Sequence, residues 1–440
     1  MPASGQNNHR HAIRGSIFHC LRDPGPGGNP EATEYFEDGL LLIENGHILE
    51  CGPAKPALAL LSENTPVADY SGKLILPGFI DSHIHYSQTD VIASYGTQLL
   101  EWLNKYTFPA EAMFDDLNHA QEAAEFFLDE LLRNGTTTAL VMPTIHPGSV
   151  DALFSAAQQR NMRLITGKVL MDRHAPDNLL DTPEQAFEYS RDLIEKWHKR
   201  DRLLYAITPR FAPTSTDAQL IEAGRLAELY PDTYIHSHVA ENLEEVAWVD
   251  ELFPWSRSYL DVYDHFGLLR ERTVLAHGIH LNEEDRERLG ESGAALAFCP
   301  TSNAFLGSGL FDLELNRLHN IRIGMATDVG GGTSFSMLQT LSDAYKIQQL
   351  AGRQLAPTQG IYLATLGSAQ ALYLEDKLGN FLPGKEADFV VLDKQSTPLI
   401  ARRMQTTGSI DEELFVFMML GDDRAIYASY IMGERAHLRL

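Results

Sequence analysis

Cysteine is scarce in this chain of 440 residues, which contains only Cys20, Cys51 and Cys299. No Cys-x-x-Cys motif occurs, and three cysteines give no even pairing pattern. We therefore expect no disulfide framework and no zinc site built from cysteine, and we expect a reducing, cytoplasmic location.

Positive charge and long apolar runs are also lacking. The chain has 35 Lys and Arg against 60 Asp and Glu, a formal net charge of −25, and it has no basic cluster and no Gly-x-x-x-x-Gly-Lys-Ser/Thr loop. An acidic surface repels phosphate backbones, so we expect no nucleic-acid partner. There is no run of eighteen apolar residues, and the opening MPASGQNNHR lacks the apolar core of a secretory signal. We therefore expect no membrane span.

Strand-like segments occur at both ends of the chain. Gly39–Gly52 predicts a hairpin, because Asn45-Gly46 favours a type I′ turn between two strand-like arms. Ala387–Asp393 and Ala425–Met432 have strand character near the other end. With 44% apolar residues the chain is too apolar for disorder, and it is too long for one ordinary core. We therefore expect one small β-sandwich domain built from both ends, with a larger domain between them.

Strand and helix patterns alternate in the intervening segment. Helical periodicity separates most of the strands, as in Leu117–Arg133 and Thr216–Tyr230. The eight candidate strands are Leu76–His85, Thr136–Pro143, Arg163–Leu170, Leu204–Phe211, Tyr234–Ala240, Thr273–His280, Ala294–Pro300 and Arg322–Asp328. Eight such units predict an α/β fold, a (β/α)₈ TIM barrel over residues 76–374, with residues 1–75 and 375–440 forming the small domain.

A His-x-His pair ends the first predicted barrel strand, in the segment LPGFIDSHIH. The side chains of His83 and His85 share one face, because side chains at i and i+2 of a strand point the same way. Barrels of this kind place active residues at the carboxyl ends of their strands. Further reactive side chains fall near the ends of other predicted strands: Arg210, His238, Glu241, His277 and Asp328.

Three histidines and a carboxylate suit zinc or a similar divalent ion. The candidate ligands are His83, His85, His238 and Asp328. A bound divalent ion lowers the pKa of its water from about 16 to roughly 7, which supplies hydroxide at neutral pH. Glu241, three residues after His238, is the candidate proton carrier, and Asp328 can also accept the proton of the water.

Each of these residues has a plainer alternative role. A single histidine at a strand end is more often a hydrogen-bonded core residue than a ligand. Glu241 could be a solvated carboxylate at a helix start, and Gln88 an ordinary loop amide. Arg210 could form a structural ion pair, yet an arginine at the mouth of a strand is well placed to hold a carbonyl oxygen. We interpret His236 as structural and Lys168 as a packing residue or part of an internal salt bridge.

The motifs PGFIDSHIH, HVAE, AHG and ATDVGG, with the flanking β domain, resemble the amidohydrolase superfamily over nearly the whole chain. Longer segments resemble the guanine deaminases within it: HIHYSQ, LLEWLNKYTFPAE, GTTTA, ITPRF and SNAFLGSG. The resemblance implies hydrolytic deamination of guanine to xanthine and ammonia, in purine catabolism or salvage, by a homodimer.

The resemblance also implies a role for individual residues. His83, His85, His238 and Asp328 match the ligands of one Zn²⁺ per subunit, with Fe²⁺ as the alternative metal. Glu241 matches the acid and base that moves protons to the purine. His238 and Glu241 are expected to contact the substrate as well.

Other residues match the part of these enzymes that holds the purine. His277 matches a catalytic histidine close to the metal-activated water. Gln88, Arg210 and Phe211 match residues that bind the purine, and Gln88 and Arg210 are expected to address its oxo edge. Trp102 belongs either to a segment near the pocket or to the plain core.

Two rival functions stay open. Another amidohydrolase deaminase, acting on 8-oxoguanine, a pterin, an adenosine-like compound or an s-triazine, would share the metal site, and only Gln88, Arg210 and Phe211 favour guanine. A non-catalytic scaffold of the same fold would lose metal ligands, which this chain keeps. A purely structural zinc is disfavoured by the carboxylate beside the ligands and by the lack of cysteine.

Overall fold

The computed structural model describes residues 10–62, 64–95 and 98–439. The opening segment MPASGQNNH, which the sequence assigns to the small domain, lies outside the described residues. The strands are β1 (Arg10–Cys20), β2 (Thr33–Glu44), β3 (His47–Pro53), β4 (Val67–Pro77), β5 (Phe79–His85), β6 (Thr136–Met142), β7 (Arg163–Thr166), β8 (Val169–Leu170), β9 (Leu203–Pro209), β10 (Tyr234–Val239), β11 (Thr273–His277), β12 (Ala295–Phe298), β13 (Arg322–Met325), β14 (Phe389–Asp393), β15 (Ile426–Ile431) and β16 (Glu434–Leu438).

Helices connect these strands, and none in the described part of the chain is long and apolar enough to cross a membrane. The α-helices are α1 (Ala54–Leu58), α2 (Leu99–Trp102), α3 (Phe108–Ala112), α4 (Leu117–Arg133), α5 (Pro147–Gln159), α6 (Pro183–Trp197), α7 (Asp217–Leu229), α8 (Leu243–Leu252), α9 (Tyr259–His265), α10 (Glu283–Ser292), α11 (Pro300–Phe305), α12 (Leu313–Leu318), α13 (Met337–Leu350), α14 (Pro357–Tyr362), α15 (Ser368–Ala371), α16 (Pro398–Met404) and α17 (Ile410–Leu420). The helix predicted at Leu117–Arg133 is α4, and the one predicted at Thr216–Tyr230 is α7, with Thr216 as its N-cap.

The two ends of the chain form one seven-stranded sheet with the strand order β16-β15-β14-β4-β1-β2-β3. The predicted hairpin joins β2 to β3, and Asn45 and Gly46 both have positive φ, as a type I′ turn requires. This hairpin folds back towards β14, where the Ile48 N–H donates to the Lys385 carbonyl (2.8 Å). The sheet therefore curls around an apolar core of its own, in agreement with the predicted small domain.

The intervening segment forms a second sheet with the order β13-β12-β11-β10-β9-β7-β6-β5, and β8 pairs with β9. Its neighbouring strands are parallel. The loop after β13 returns to β5: the Asp328 N–H donates to the His83 carbonyl (3.0 Å), and the His85 N–H donates to the Val329 carbonyl (2.9 Å). The predicted (β/α)₈ barrel is confirmed.

Several predicted strands end earlier in the structure than in the sequence pattern. Arg210 and Asp328 lie on loops just beyond β9 and β13, not within the strands. The prediction of one continuous strand over Arg163–Leu170 is wrong, because the segment is divided into β7 and β8. At the break, Gly167 lies so close to β9 that a Cβ would stand 1.8 Å from the Ala206 carbonyl oxygen.

The C-terminal segment contains helices in addition to the two predicted strands, because α16 and α17 lie between β14 and β15. α17 packs on the barrel helices α13 and α14. The Phe415 ring meets the Tyr345 ring with centroids 4.9 Å apart, and the Met418 side chain closes over Gly360. The division into residues 1–75 with 375–440 and residues 76–374 stays a prediction.

Candidate active site

The four side chains predicted to hold a metal converge at the carboxyl ends of the barrel strands. His83 and His85 lie at the end of β5, His238 in β10, and Asp328 on the loop after β13. The Nε2 atoms of His83 and His85 lie 3.1 and 3.5 Å from Asp328 Oδ1. The Nε2 atoms of His85 and His238 are 3.3 Å apart. His83, His85 and Asp328 thus form one compact group of potential ligands, and His238 adjoins it through His85.

The chemistry of this cluster fits a divalent cation. His83 Nε2 is buried, and its contact with Asp328 Oδ1 lacks the geometry of a regular hydrogen bond. Burial lowers the pKa of His83, His85 and His238, which keeps these rings neutral with a lone pair to offer. Burial alone would raise the pKa of Asp328, but the facing His83 holds it below its ordinary value. Neutral imidazoles beside a carboxylate are ligands that zinc prefers, so this cluster can hold a metal ion.

Hydrogen bonds on the side facing away from the cluster fix the orientation of two of these imidazole rings. His83 Nδ1 is hydrogen-bonded to His236 Nε2 at 2.7 Å, and His236 lies deeper in the barrel, as predicted. His238 Nδ1 donates to the Arg210 backbone carbonyl at 2.6 Å. Such bonds set the tautomer and leave the opposite nitrogen of each ring directed at the cluster.

Glu241 and His277 form the neighbouring part of the site. Glu241 is buried, and its Oε2 lies 3.3 Å from His277 Nε2. Burial raises the pKa of Glu241 to about 7. Burial would lower the pKa of His277, but the carboxylates of Glu241 and Asp328 outweigh it and raise that pKa. A carboxyl group that titrates near neutrality can both give and take a proton, so the alternative of a solvated Glu241 is wrong.

A cleft opens onto these groups, and its empty space, together with the solvent at its mouth, amounts to about 420 Å³. The residues expected to hold a substrate all line it, namely Gln88, Arg210, Phe211, His238 and Glu241. Trp102 also lines the cleft, together with apolar side chains such as Leu99, Leu103 and Leu306. Mostly apolar walls with a few converging polar groups are typical of a small-molecule site.

Comparison with known proteins adds to this geometry. The sequence model of the amidohydrolase family matches residues 74–435. The chain belongs to the amidohydrolase family. Guanine deaminase of Escherichia coli (strain K12) is 52% identical over 429 residues, which cover 97% of this chain and 98% of that protein.

Solved amidohydrolase structures show the same architecture. The structure of E. coli guanine deaminase matches with a TM-score of 0.96 over 98% of this chain and all of that chain. A guanine deaminase from C. acetobutylicum, solved with guanine bound in its active site, matches with a TM-score of 0.86 at 26% identity, over 97% of this chain and 99% of the other. This amidohydrolase is therefore similar to guanine deaminases along its full length.

Two polar residues that contact the site, one in α11 and one in the loop after it, escaped the sequence reasoning. His277 Nδ1 donates to Asn303 Oδ1 (2.9 Å), and Ser308 Oγ donates to Glu241 Oε1 (2.9 Å). Both Asn303 and Ser308 lie in the segment SNAFLGSG, which carries the family resemblance. That motif was the available signal, but the partners of its side chains are visible only in three dimensions.

Cys299 also lies beside the cluster, close to His277 and Asp328. Its thiol is buried, which raises its pKa, and Sγ donates to the Ala297 carbonyl (3.3 Å). A metal needs the thiolate form of cysteine, which this environment disfavours. The expectation of a site without cysteine ligands therefore stays in place.

Glu111 was missed as well. It is fully buried, and both of its carboxylate oxygens lie 2.7 Å from Arg210 Nη1. The two roles considered for Arg210 are therefore compatible, because this arginine forms a buried ion pair and lines the cleft. Lys168 forms an internal ion pair with Asp181, as predicted.

Proposed function

We propose that this amidohydrolase hydrolyses guanine to xanthine and ammonia. The observation that carries the proposal is one cleft that joins the His and Asp cluster, a buried carboxyl group and two side-chain donors, Arg210 and Gln88. The relatives that match along the full chain support it, since they are guanine deaminases and one holds guanine in its active site.

We assign one zinc ion, with ferrous iron as the alternative, to His83, His85, His238 and Asp328. When bound, this metal supplies an activated water by lowering the water pKa towards neutrality. Asp328 is also assigned to accept a proton from that water, because it is a carboxylate within the cluster and lines the cleft.

Glu241 is the proton carrier of the proposed reaction. It takes a proton from the water as the water oxygen adds to C2 and passes that proton to a ring nitrogen of guanine. It then carries the proton of the new C2 hydroxyl to the amino group, which leaves as ammonia while the C2 oxo group forms. Ser308 holds one oxygen of Glu241, and His277 faces the other. Both contacts keep the carboxyl group in one position beside the reacting carbon.

Arg210 and Gln88 also line the cleft, where they orient the purine. Both donate hydrogen bonds, so we assign them to the oxo oxygen of guanine. Phe211 and Trp102 supply apolar wall surface for the flat ring system. A homodimer and a place in purine breakdown or salvage complete the proposal, on the strength of the family resemblance.

The first test is turnover of guanine by the purified, zinc-loaded protein. We expect guanine to be converted to xanthine, followed by absorbance, with one ammonia released per xanthine. A chelator should abolish the turnover, and added zinc should restore it. A protein with full metal content that leaves guanine unchanged but deaminates 8-oxoguanine, a pterin or another aminated heterocycle would contradict the proposal.

A further inference from the structure

Glu111 is a fully buried carboxylate to which the proposed reaction gives no step. It lies on α3, and its two oxygens both lie 2.7 Å from Arg210 Nη1 and share its N–H donation. An arginine carries five N–H hydrogens, so at least three remain for other partners. Phe108, three residues earlier on the same helix, packs on the Arg210 guanidinium, which lies 5.4 Å from the ring centroid. α3 therefore holds the arginine by charge and by packing.

The same carboxylate fixes the side-chain amide of Gln88. Gln88 Nε2 donates to Glu111 Oε1 (3.4 Å), and Gln88 Oε1 accepts the Gly330 N–H (3.2 Å). An amide with its nitrogen on a carboxylate and its oxygen on an N–H has only one favourable orientation. Its second N–H hydrogen is then its remaining donor, while its oxygen already has a partner.

Arg210 and Gln88 both line the cleft, so Glu111 decides what the cleft presents to a ligand there. Both groups offer N–H donors. An oxo oxygen on the ligand accepts hydrogen bonds from these donors. An amino group in the same place is itself a donor, so it cannot accept these bonds and leaves the buried donors without a partner. Sites that hydrogen-bond a polar group of the ligand reject ligands without that group far more strongly than apolar pockets reject ligands of the wrong size.

We propose that Glu111 is the positioning residue by which this cleft selects purines with an oxo group over purines with an amino group at the same ring carbon. The proposal rests on the proposed guanine deamination and deepens it. Glu111 acts through Arg210 and Gln88. It neutralises the buried charge of the first and sets the amide orientation of the second.

The test compares two purines as inhibitors of guanine turnover. They differ at C6 and, in consequence, at the neighbouring N1, which carries a hydrogen only in the 6-oxo compound. Hypoxanthine has the oxo group and adenine has the amino group, and neither carries the 2-amino group that leaves. In the native protein we expect the inhibition constant of adenine to exceed that of hypoxanthine by at least about tenfold. In Glu111→Gln we expect this ratio to fall towards one and kcat/KM for guanine to fall by about a hundredfold, mostly through KM.

Glu386→Gln is the matched control. Glu386 is also a buried carboxylate, and it forms ion pairs with Arg163 and Arg202. Unlike Arg210 and Gln88, neither Glu386 nor its two arginines line the cleft. We expect this variant to unfold more easily and to keep the native KM and the native inhibitor ratio. If Glu111→Gln shows only that pattern, Glu111 is structural and the proposal is overturned.

The remaining outcomes also decide the question. A native protein that deaminates guanine but does not prefer hypoxanthine overturns this inference and leaves the proposed function intact. A native protein that does not deaminate guanine overturns both. If Glu111→Gln loses its fold, Glu111→Asp keeps the charge with a shorter side chain, and its inhibitor ratio should lie between one and the native value; an unchanged ratio counts against the proposal.

Discussion

At the scale of single residues, burial gives side chains of the same type different pKa values. Glu241 and Glu244 are three positions apart around the start of α8, yet Glu241 is buried and Glu244 is exposed. Burial raises the pKa of Glu241 to about 7. The shift arises because removal from water penalises the charged form of a carboxyl group. Glu241 is thereby suited to proton transfer.

Glu241→Gln should keep the metal content and lower kcat for guanine by roughly 10²–10⁴-fold, because the amide keeps the shape of the side chain but cannot take up and release a proton. Metal analysis and steady-state kinetics measure the two quantities. The control Glu244→Gln changes an exposed neighbour and should leave both unchanged. If Glu241→Gln turned over guanine at the native rate, the assigned role would be wrong.

At the scale of elements, the ends of the barrel strands place the reactive groups. Arg210 follows β9 directly, and Asp328 lies three residues after β13. Asn303 in α11 then contacts His277, and Ser308 in the loop after α11 contacts Glu241. Strands keep these loops in register because neighbouring strands are hydrogen-bonded along the sheet, and the loop after β13 is hydrogen-bonded to β5.

The break between β7 and β8 gives a test of this register. In Gly167→Ala the new Cβ would meet the rigid Ala206 carbonyl of β9, so we expect the free energy of unfolding to fall by about 1–3 kcal/mol or more. Urea unfolding measures the change. Gly52→Ala is the control, because no atom lies within 4 Å of a Cβ built there. If the two variants had equal midpoints of urea unfolding, β9 would be able to move away from the new Cβ, and the prediction would be wrong.

At the scale of the whole molecule, a buried network joins the barrel to the small sheet. Arg163 in β7 and Arg202 just before β9 both pair with Glu386, and Arg202 also pairs with Asp388 beside β14. Burial would raise the pKa of Glu386, but the two arginines outweigh it and hold the pKa at about 2. The charged carboxylate therefore stabilises the folded chain.

Since this pKa lies below its ordinary value of 4.5, the stabilisation is complete above about pH 5 and is lost as the pH falls towards 2. Glu386→Gln should therefore be less stable than the native protein at pH 7, by on the order of 3 kcal/mol. The variant should also lose less stability between pH 5 and 2. Urea unfolding across this pH range tests both expectations, with the exposed Glu287→Gln as control. If the free energy of unfolding changed equally with pH in the native protein and in Glu386→Gln, this account would be contradicted.

Local sequence patterns determined much of the fold. The alternation of strands and helices predicted the barrel, and the Asn45-Gly46 turn predicted the first hairpin. The His-x-His spacing placed His83 and His85 on one face. These features depend on residues within a few positions of one another, where strand and helix periods act directly. The family resemblance then supplied the candidates for ligands and substrate contacts, which the fold brings into one cleft.

Only the tertiary structure decided which partners the polar side chains meet. Glu111 and Arg210 are 99 positions apart, and nothing in the local pattern around either residue indicates the other. The break at Gly167 depends on the close approach of a neighbouring strand, and α17 covers the barrel although its segment seemed to belong to the small domain. The pKa of Glu241 likewise depends on burial by distant parts of the chain. Such contacts are set by packing, which periodicity does not encode.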